Sequence, residues 1–286
     1  MREPLIVERR RIRFPRFSYH HFIVAEGTRR HISKPMNPIL HKILLFALFL
    51  NIATWANAAE YDFSVDGFEY KIISETEVEL SGYSRYDEKI IIPYNVEFDG
   101  QRYKITKIGP SAFLGKPMDD VIMVAGIVTI GERAFSGCSE LQYISIPEAV
   151  EYIGNDAFYS CHGLKEVSIS AKELSKWFKI EFANEDANPM NYAQKLTLFH
   201  EVQNDVKELP IVKLEGITKL GAYSFLGFRN LEKLTIPKNI QSIGYKALGN
   251  CPLKSLTILG PSQIGYRNLD ATDLDLTLNQ GCSVHN

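Results

Sequence analysis

A dipeptide of Ile or Leu followed by Gly returns along this chain at near-constant distance, and that recurrence limits the fold more than any other feature. Ile108-Gly109, Ile130-Gly131, Ile153-Gly154, Leu220-Gly221, Ile243-Gly244 and Ile264-Gly265 stand 22, 23, 67, 23 and 21 residues apart. The value 67 is close to three periods, so two degenerate units are expected between Ile153 and Leu220, giving about seven turns in all. After each of the first five glycines comes a small residue and then a bulky one: Ala112-Phe113, Ala134-Phe135, Ala157-Phe158, Ser224-Phe225 and Ala247-Leu248. Four units continue into alternating apolar positions, Leu141, Ile144 and Ile146; Leu164, Val167 and Ile169; Leu231, Leu234 and Ile236; Leu253, Leu256 and Ile258. Alternation with period two marks a half-buried strand, and Pro147 and Pro237 end two of them by removing a donor. Each unit therefore reads as strand, turn and short helical turn. A single unit buries too few apolar side chains to offset the ordering of its backbone, so units of this length must stack.

The flanks of the repeats read differently. Residues 60 to 104 form short strand-like runs with hairpin signals at Asp66-Gly67 and Asp99-Gly100, and 59–104 is expected to be an N-terminal β-hairpin cap on the first coil. The stretch 171–212 interrupts the pattern. Leu174, Trp177, Phe178 and Ile180 fall on one face of an amphipathic helix, followed by a turn at Asn188-Pro189 and a strand at Lys195 to Phe199. It is read as a coil with an enlarged helical side and a Trp177–Phe178 core, or alternatively as a distinct surface. Leu274, Leu276 and Leu278 alternate with acidic or polar residues, as expected of a closing strand.

Ahead of these lies a leader of another kind. Residues 1 to 58 carry ten Lys/Arg and three Glu, which leaves 22 basic and 31 acidic residues in the remainder and a net charge of −9 there. Nucleic acid is excluded as a partner, because phosphate neutralisation needs clustered cations. Residues 36–58 run from a polar start with Lys42 through an apolar stretch to Ala56-Asn57-Ala58, the three regions of a signal peptide, with cleavage expected after Ala58. The apolar run of about 13 residues falls short of the ~20 that cross a bilayer, so no stable membrane span is expected. Residues 1–35 are expected to be an untranslated or disordered leader, with Met36 as the start. The protein is thus read as exported to the cell surface, the medium or the periplasm.

Within the repeats, Ile130, Gly131, Ala134, Phe135, Cys138, Leu141, Ile144, Ile146 and Pro147 spell a unit that resembles the BspA-type leucine-rich-repeat family of bacterial surface proteins. The resemblance spans about residues 60 to 265. It departs from the more familiar repeat consensus, which places Asn or Cys eight residues after the first Leu; here Ala149 and Asn239 stand there. The resemblance implies a leucine-rich-repeat solenoid over 105–286, mostly β with short helical turns in coils of about 23 residues, and a role in binding or adhesion to a host or bacterial surface protein or glycan.

No catalytic residue and no metal or cofactor site is assigned. Cys138, Cys161 and Cys251 share one repeat position, expected on inner rungs as small hydrophobes, although Cys138 and Cys161 could approach bonding distance. No CxxC pair, GxGxxG or Walker loop is present. Adjacent Cys161 and His162 cannot readily align as a nucleophile pair. Glu185-Asp186 and Asp270, Asp273 and Asp275 are read as solvated surface rather than calcium or acid–base groups. The candidate binding residues lie between the buried strand positions: Gln142, Tyr143, Ser145, Lys165, Glu166, Ser168, Glu232, Lys233, Thr235, Lys254, Ser255 and Thr257, expected to project outward in rows on one continuous surface. Competing readings are a self-assembling periplasmic scaffold, whose oligomeric state the sequence leaves open, and a hydrolase using the carboxylates near Glu185.

Overall fold

The alternating apolar positions form rungs of parallel sheet. A computed structural model describes residues 7–8, 61–124, 126–198, 200–260, 263–265, 275–278 and 283–285. The signal-peptide segment, Cys282, Asp270 and Asp273 lie outside them. In the first ladder, β5 (Lys89–Ile92), β8 (Asp120–Met123), β10 (Tyr143–Pro147), β12 (Glu166–Ser170) and β14 (Lys195–Leu198) pair in parallel and in register, and β15 (Glu201–Val202) folds back antiparallel on β14. A second ladder holds β16 (Glu208–Leu209), β18 (Lys233–Ile236), β20 (Ser255–Ile258) and β22 (Asp275–Leu278). The Ile-Gly and Leu-Gly positions, together with Glu181–Phe182 and Ser283–His285, make companion ladders: β9 (Thr129–Ile130), β11 (Tyr152–Ile153) and β13 (Glu181–Phe182), then β17 (Lys219–Leu220), β19 (Ser242–Ile243), β21 (Gln263–Gly265) and β23 (Ser283–His285). Alternation places Ile144, Ile146, Val167, Ile169, Leu234, Ile236, Leu256 and Ile258 in the core, each at most 2% exposed.

Both N-terminal hairpin signals are realised. β2 (Phe63–Val65) and β3 (Phe68–Ile72) turn at Asp66-Gly67, and β6 (Asn95–Phe98) and β7 (Gln101–Ile108) turn at Asp99-Gly100. β1 (Val7–Glu8) lies antiparallel to β2, while β4 (Glu77–Tyr83) runs antiparallel to β3 and parallel to β7, which leads into β9. β5, within residues 59–104, pairs with β8 and so forms the first strand of the main ladder.

The segment expected as a short helical turn is half of one. Ala134, Ser136 and Cys138 donate to carbonyls three residues back, as in a 3₁₀ turn, but the intervening Arg133, Phe135 and Gly137 donate to Asn155, Ala157 and Tyr159 of the next coil at 2.7–2.9 Å. This geometry needs left-handed residues, and non-glycines accept it at Ser111, Arg133, Asp156, Tyr223 and Lys246. Left-handed backbone costs an L-residue on the order of 1 kcal/mol, a strain that the inter-coil ladder offsets. Inside, Phe113, Phe135 and Phe158 stack almost parallel, with centroids 5.1 and 5.4 Å apart.

The interval from Ile153 to Leu220 holds three strands of the main ladders, β12, β14 and β16, but one companion rung, β13, between β11 and β17 among the described residues. Its helix is a 3₁₀ turn, Leu174–Lys179, with Trp177 and Phe178 fully buried. Trp177 Nε1 donates to the Ser224 carbonyl at 2.9 Å, and Phe178 stacks on Phe225 at 4.5 Å. Trp177 and Phe178 form a core, as the enlarged-coil reading expects, and Trp177 itself contributes no binding surface, because no part of that ring reaches solvent. Asn188, fully buried, joins the stretch to the next coil by donating to the Tyr223 carbonyl at 2.8 Å.

The repeated cysteines form a thiol ladder. Cys138, Cys161 and Cys251 are free, and their Sγ atoms reach the carbonyls of Phe113, Phe135 and Phe225 one coil back at 3.0, 3.2 and 3.3 Å. Burial pushes the Cys138 and Cys251 thiols up to about 12 and raises Cys161 as well. Native Cys138 and Cys161 should thus react with a disulfide reagent at pH 8 at least ~100-fold more slowly than the same thiols in denaturant. Above pH ~8.5 the unfolded chain releases thiol protons that the folded chain keeps, so stability should fall as pH rises from about 9 towards 12. A pH series of urea midpoints checks the sign, and rapid labelling of folded protein would contradict the burial.

Candidate ligand-binding face

The outer side of the first ladder carries two in-register rows. One reads Lys89, Asp120, Tyr143, Glu166, Lys195, and the other Ile91, Ile122, Ser145, Ser168, Thr197. Tyr143, Glu166 and Ser168 are half-buried, as a shallow sheet surface requires. Ser145 departs from expectation. It is 3% exposed, and its Oγ accepts from the Met123 N–H at 3.0 Å, which ties the end of β8 to β10 instead of facing a ligand. Thr197 is also buried, its hydroxyl donating to Glu166 Oε1 at 2.9 Å.

Gln142, Lys165, Glu232 and Lys254 stand one residue before their strands, so they form a rim at the mouth of the ladders rather than part of the face. They are paired along that rim: Lys165 Nζ donates to Gln142 Oε1 at 2.6 Å, and Glu232 sits between Lys254 at 3.0 Å and Lys207 at 3.9 Å. The hydrogen bond and charge of Lys254 hold the Glu232 carboxyl below the usual carboxylate range. On the second ladder, exposed Lys233 and half-buried Ser255 share one row and half-buried Thr235 and Thr257 another.

The expected continuous surface is two panels. After β14 the chain reverses, and Asn204 occupies the place of the next parallel strand: its Oδ1 accepts the Leu196 N–H at 2.9 Å, while its Nδ2 donates to the carbonyls of Gln194 and Gly227. Leu196 thereby loses the N–H that a further rung would need. Tyr143, Glu166 and Ser168 belong to the first panel, with Gln142 and Lys165 on its rim, and Lys233, Thr235, Ser255 and Thr257 to the second, with Glu232 and Lys254 on its rim.

A groove of about 510 Å³ opens on the first panel between Tyr143 and the turn after β14, lined by Tyr143, Glu148, Ser168, Ser170, Lys172 and His200 over Ile169 and Ala171. Sequence reading found Tyr143 and Ser168 but not the others, because they lie beyond strand ends whose return path the repeat pattern does not encode. A second cleft, about 490 Å³, lies between the β2–β3 hairpin and β5–β6, with Phe68, Tyr70, Tyr83 and Arg85 among its walls.

The carboxylates near Glu185 are engaged in holding turns. Asp186 accepts from Tyr192 Oη at 2.6 Å and Asn191 Nδ2 at 3.0 Å, and Glu185 accepts from Asn250 Nδ2 at 3.0 Å. His162 is exposed and meets the Tyr192 ring edge-on at 5.4 Å. Among the described residues no group of three or more His, Cys, Asp and Glu is placed to hold a metal, and no helix is long and apolar enough to cross a membrane.

Parallel ladders built from coils of 22 to 23 residues, sealed over an apolar interior, define a leucine-rich-repeat solenoid. The family model described as BspA type leucine rich repeat region matches in six copies over residues 106–202 and 204–268, more than half of the chain, and the chain belongs to that family. Repeats of this family are protein-binding modules and are typical of bacterial surface proteins. Solved structures similar to the chain include a leucine-rich repeat protein of Bacteroides capillosus, 26% identical over 47% of this chain and 96% of that one, with a TM-score of 0.40. Others are a leucine rich cell surface protein of Faecalibacterium prausnitzii, 18% identical over 68% and 54% with a TM-score of 0.41, and a T. pallidum leucine rich repeat protein, 17% identical over 72% and 90% with a TM-score of 0.37. No curated protein sequence matches the chain.

Proposed function

We propose that this chain is a non-enzymatic adhesion module, exported by the segment 36–58, which holds a surface protein or glycan against the first strand panel, with residues 59–104 capping the stack. The observation that supports this reading is the in-register row of Asp120, Tyr143, Glu166 and Lys195, which a parallel sheet keeps at fixed spacing without side-chain rearrangement. A rigid array of this kind binds with little ordering cost, so affinity need not come from an enclosed pocket. Tyr143 supplies the aromatic anchor, and the charged residues flanking it set register and on-rate.

The test is capture of the full chain on an array of matrix proteins, mucins and glycans, beside a variant with Tyr143, Lys165 and Glu166 replaced by Ala. Saturable binding weakened at least ~10-fold in the folded variant is expected, since loss of a central anchor typically costs 1–2 kcal/mol or more. Binding by the variant at undiminished strength would remove the panel from the interaction.

A further inference from the structure

We infer that the groove beside Tyr143 is a carbohydrate subsite, taking one uncharged hexopyranose unit of a glycan. The inference rests on the binding role proposed above and names the chemistry of its ligand. Along the neighbouring rims and strands several polar side chains are tied to one another: Lys165 to Gln142, Thr197 to Glu166, Glu232 to Lys254, Asn230 to Asp205. The side chains of the groove are not among them. The side chains of Tyr143, Glu148, Ser168, Ser170, Lys172 and His200 line one concavity, and none of them has a hydrogen bond or ion pair to another described residue.

The inventory matches a sugar. The Glu148 carboxylate accepts from two vicinal hydroxyls, Lys172 donates up to three hydrogen bonds, and the Ser168, Ser170 and Tyr143 hydroxyls do either. The Tyr143 ring, half-buried in its row, offers an apolar face to the C–H face of a pyranose, while Ile169 and Ala171 lie beneath. One lysine is offset by one glutamate, so the groove has no net field that would select an anion, and phosphate or a sulfated sugar is disfavoured relative to a neutral one. The volume of about 510 Å³ lies within the roughly 300–1,000 Å³ of small-molecule sites, and the open mouth leaves the rest of a glycan chain in solvent.

The experiment is saturation-transfer NMR and calorimetry on the full chain with methyl glycosides of glucose, galactose, mannose and N-acetylglucosamine. It is repeated on Tyr143→Ala, Glu148→Gln and Lys172→Ala, with Glu232→Ala on the other panel as control. Glu148 and Lys172 are exposed, so their variants remain informative if Tyr143→Ala fails to fold. The expected result is saturable binding of at least one glycoside, weakened at least tenfold by Glu148→Gln and by Lys172→Ala and unchanged by Glu232→Ala. Glycoside binding insensitive to these variants would overturn the assignment to this groove. Capture on a matrix protein with no glycoside bound would overturn the sugar subsite while leaving the adhesion reading intact; absence of both would overturn the two together.

Discussion

Gly154→Ala should destabilise the protein by about 3 kcal/mol in urea denaturation, well beyond an ordinary glycine substitution. The repeated glycines Gly131, Gly154, Gly221 and Gly244 mark points where one coil's backbone crosses the next. A Cβ on Gly154 would stand 2.6 Å from the Glu132 nitrogen and 2.9 Å from the Gly131 carbonyl carbon, and Gly154 N–H also donates to the Ile130 carbonyl at 2.8 Å. The obstacle is main chain, which cannot swing aside, so the coils must separate and the ladders on both sides weaken together. Gly131 and Gly244 meet the backbone of the preceding coil in the same way, at 2.7 and 2.5 Å. Gly216 provides the contrast: its φ is +73° but nothing lies within 4 Å, so Gly216→Ala should cost only the left-handed strain of about 1 kcal/mol. Equal losses in the two variants would contradict this explanation of the repeat.

Phe135→Ala is expected to cost 3–5 kcal/mol, roughly the loss of one large ring from a packed core. Phe135 is fully buried at the centre of the aromatic column, inclined only 5° and 7° to its neighbours Phe113 and Phe158. Its carbonyl also receives the Cys161 thiol, so a shift of this turn reaches the following coil directly. Since each coil touches only its neighbours, lost hydrogen-exchange protection should concentrate between about residues 108 and 160 and leave the second ladder less affected. The double variant with Phe113→Ala should lose less than the sum of the single losses, by about 0.5–1.5 kcal/mol, because the stacking is removed once. A single-variant loss below ~1.5 kcal/mol would mean that the column is not a structural axis.

The repeat period, the buried strand positions and the inner cysteines were legible because each obeys a short-range rule repeated several times. Ile144 and Ile146, or Leu256 and Ile258, can point inward only if the strand alternates, and the spacing brings Cys138 over Cys161 in successive coils. The division into two panels was not legible. It depends on Asn204, 8 residues from the Leu196 N–H it receives and 23 from the Gly227 carbonyl it reaches, a role that no local pattern announces. Ser145 was misplaced for a related reason: alternation sets the side of the sheet on which a residue lies, but the neighbouring rungs decide whether water reaches it. The turn after each glycine is only half helical, because the donors of Arg133, Phe135 and Gly137 go to the adjacent coil, a partner outside the local sequence.

The most direct measurement of the central claim compares two folded variants against whichever array ligand the full chain captures. One removes Tyr143, Lys165 and Glu166 from the first panel; the other removes Arg133, Tyr159 and Tyr245, residues of the turns away from the strand panels. The account predicts at least tenfold weaker binding for the panel variant and affinity within twofold of the parent for the turn variant. The opposite order would place the binding surface on the turns and contradict it.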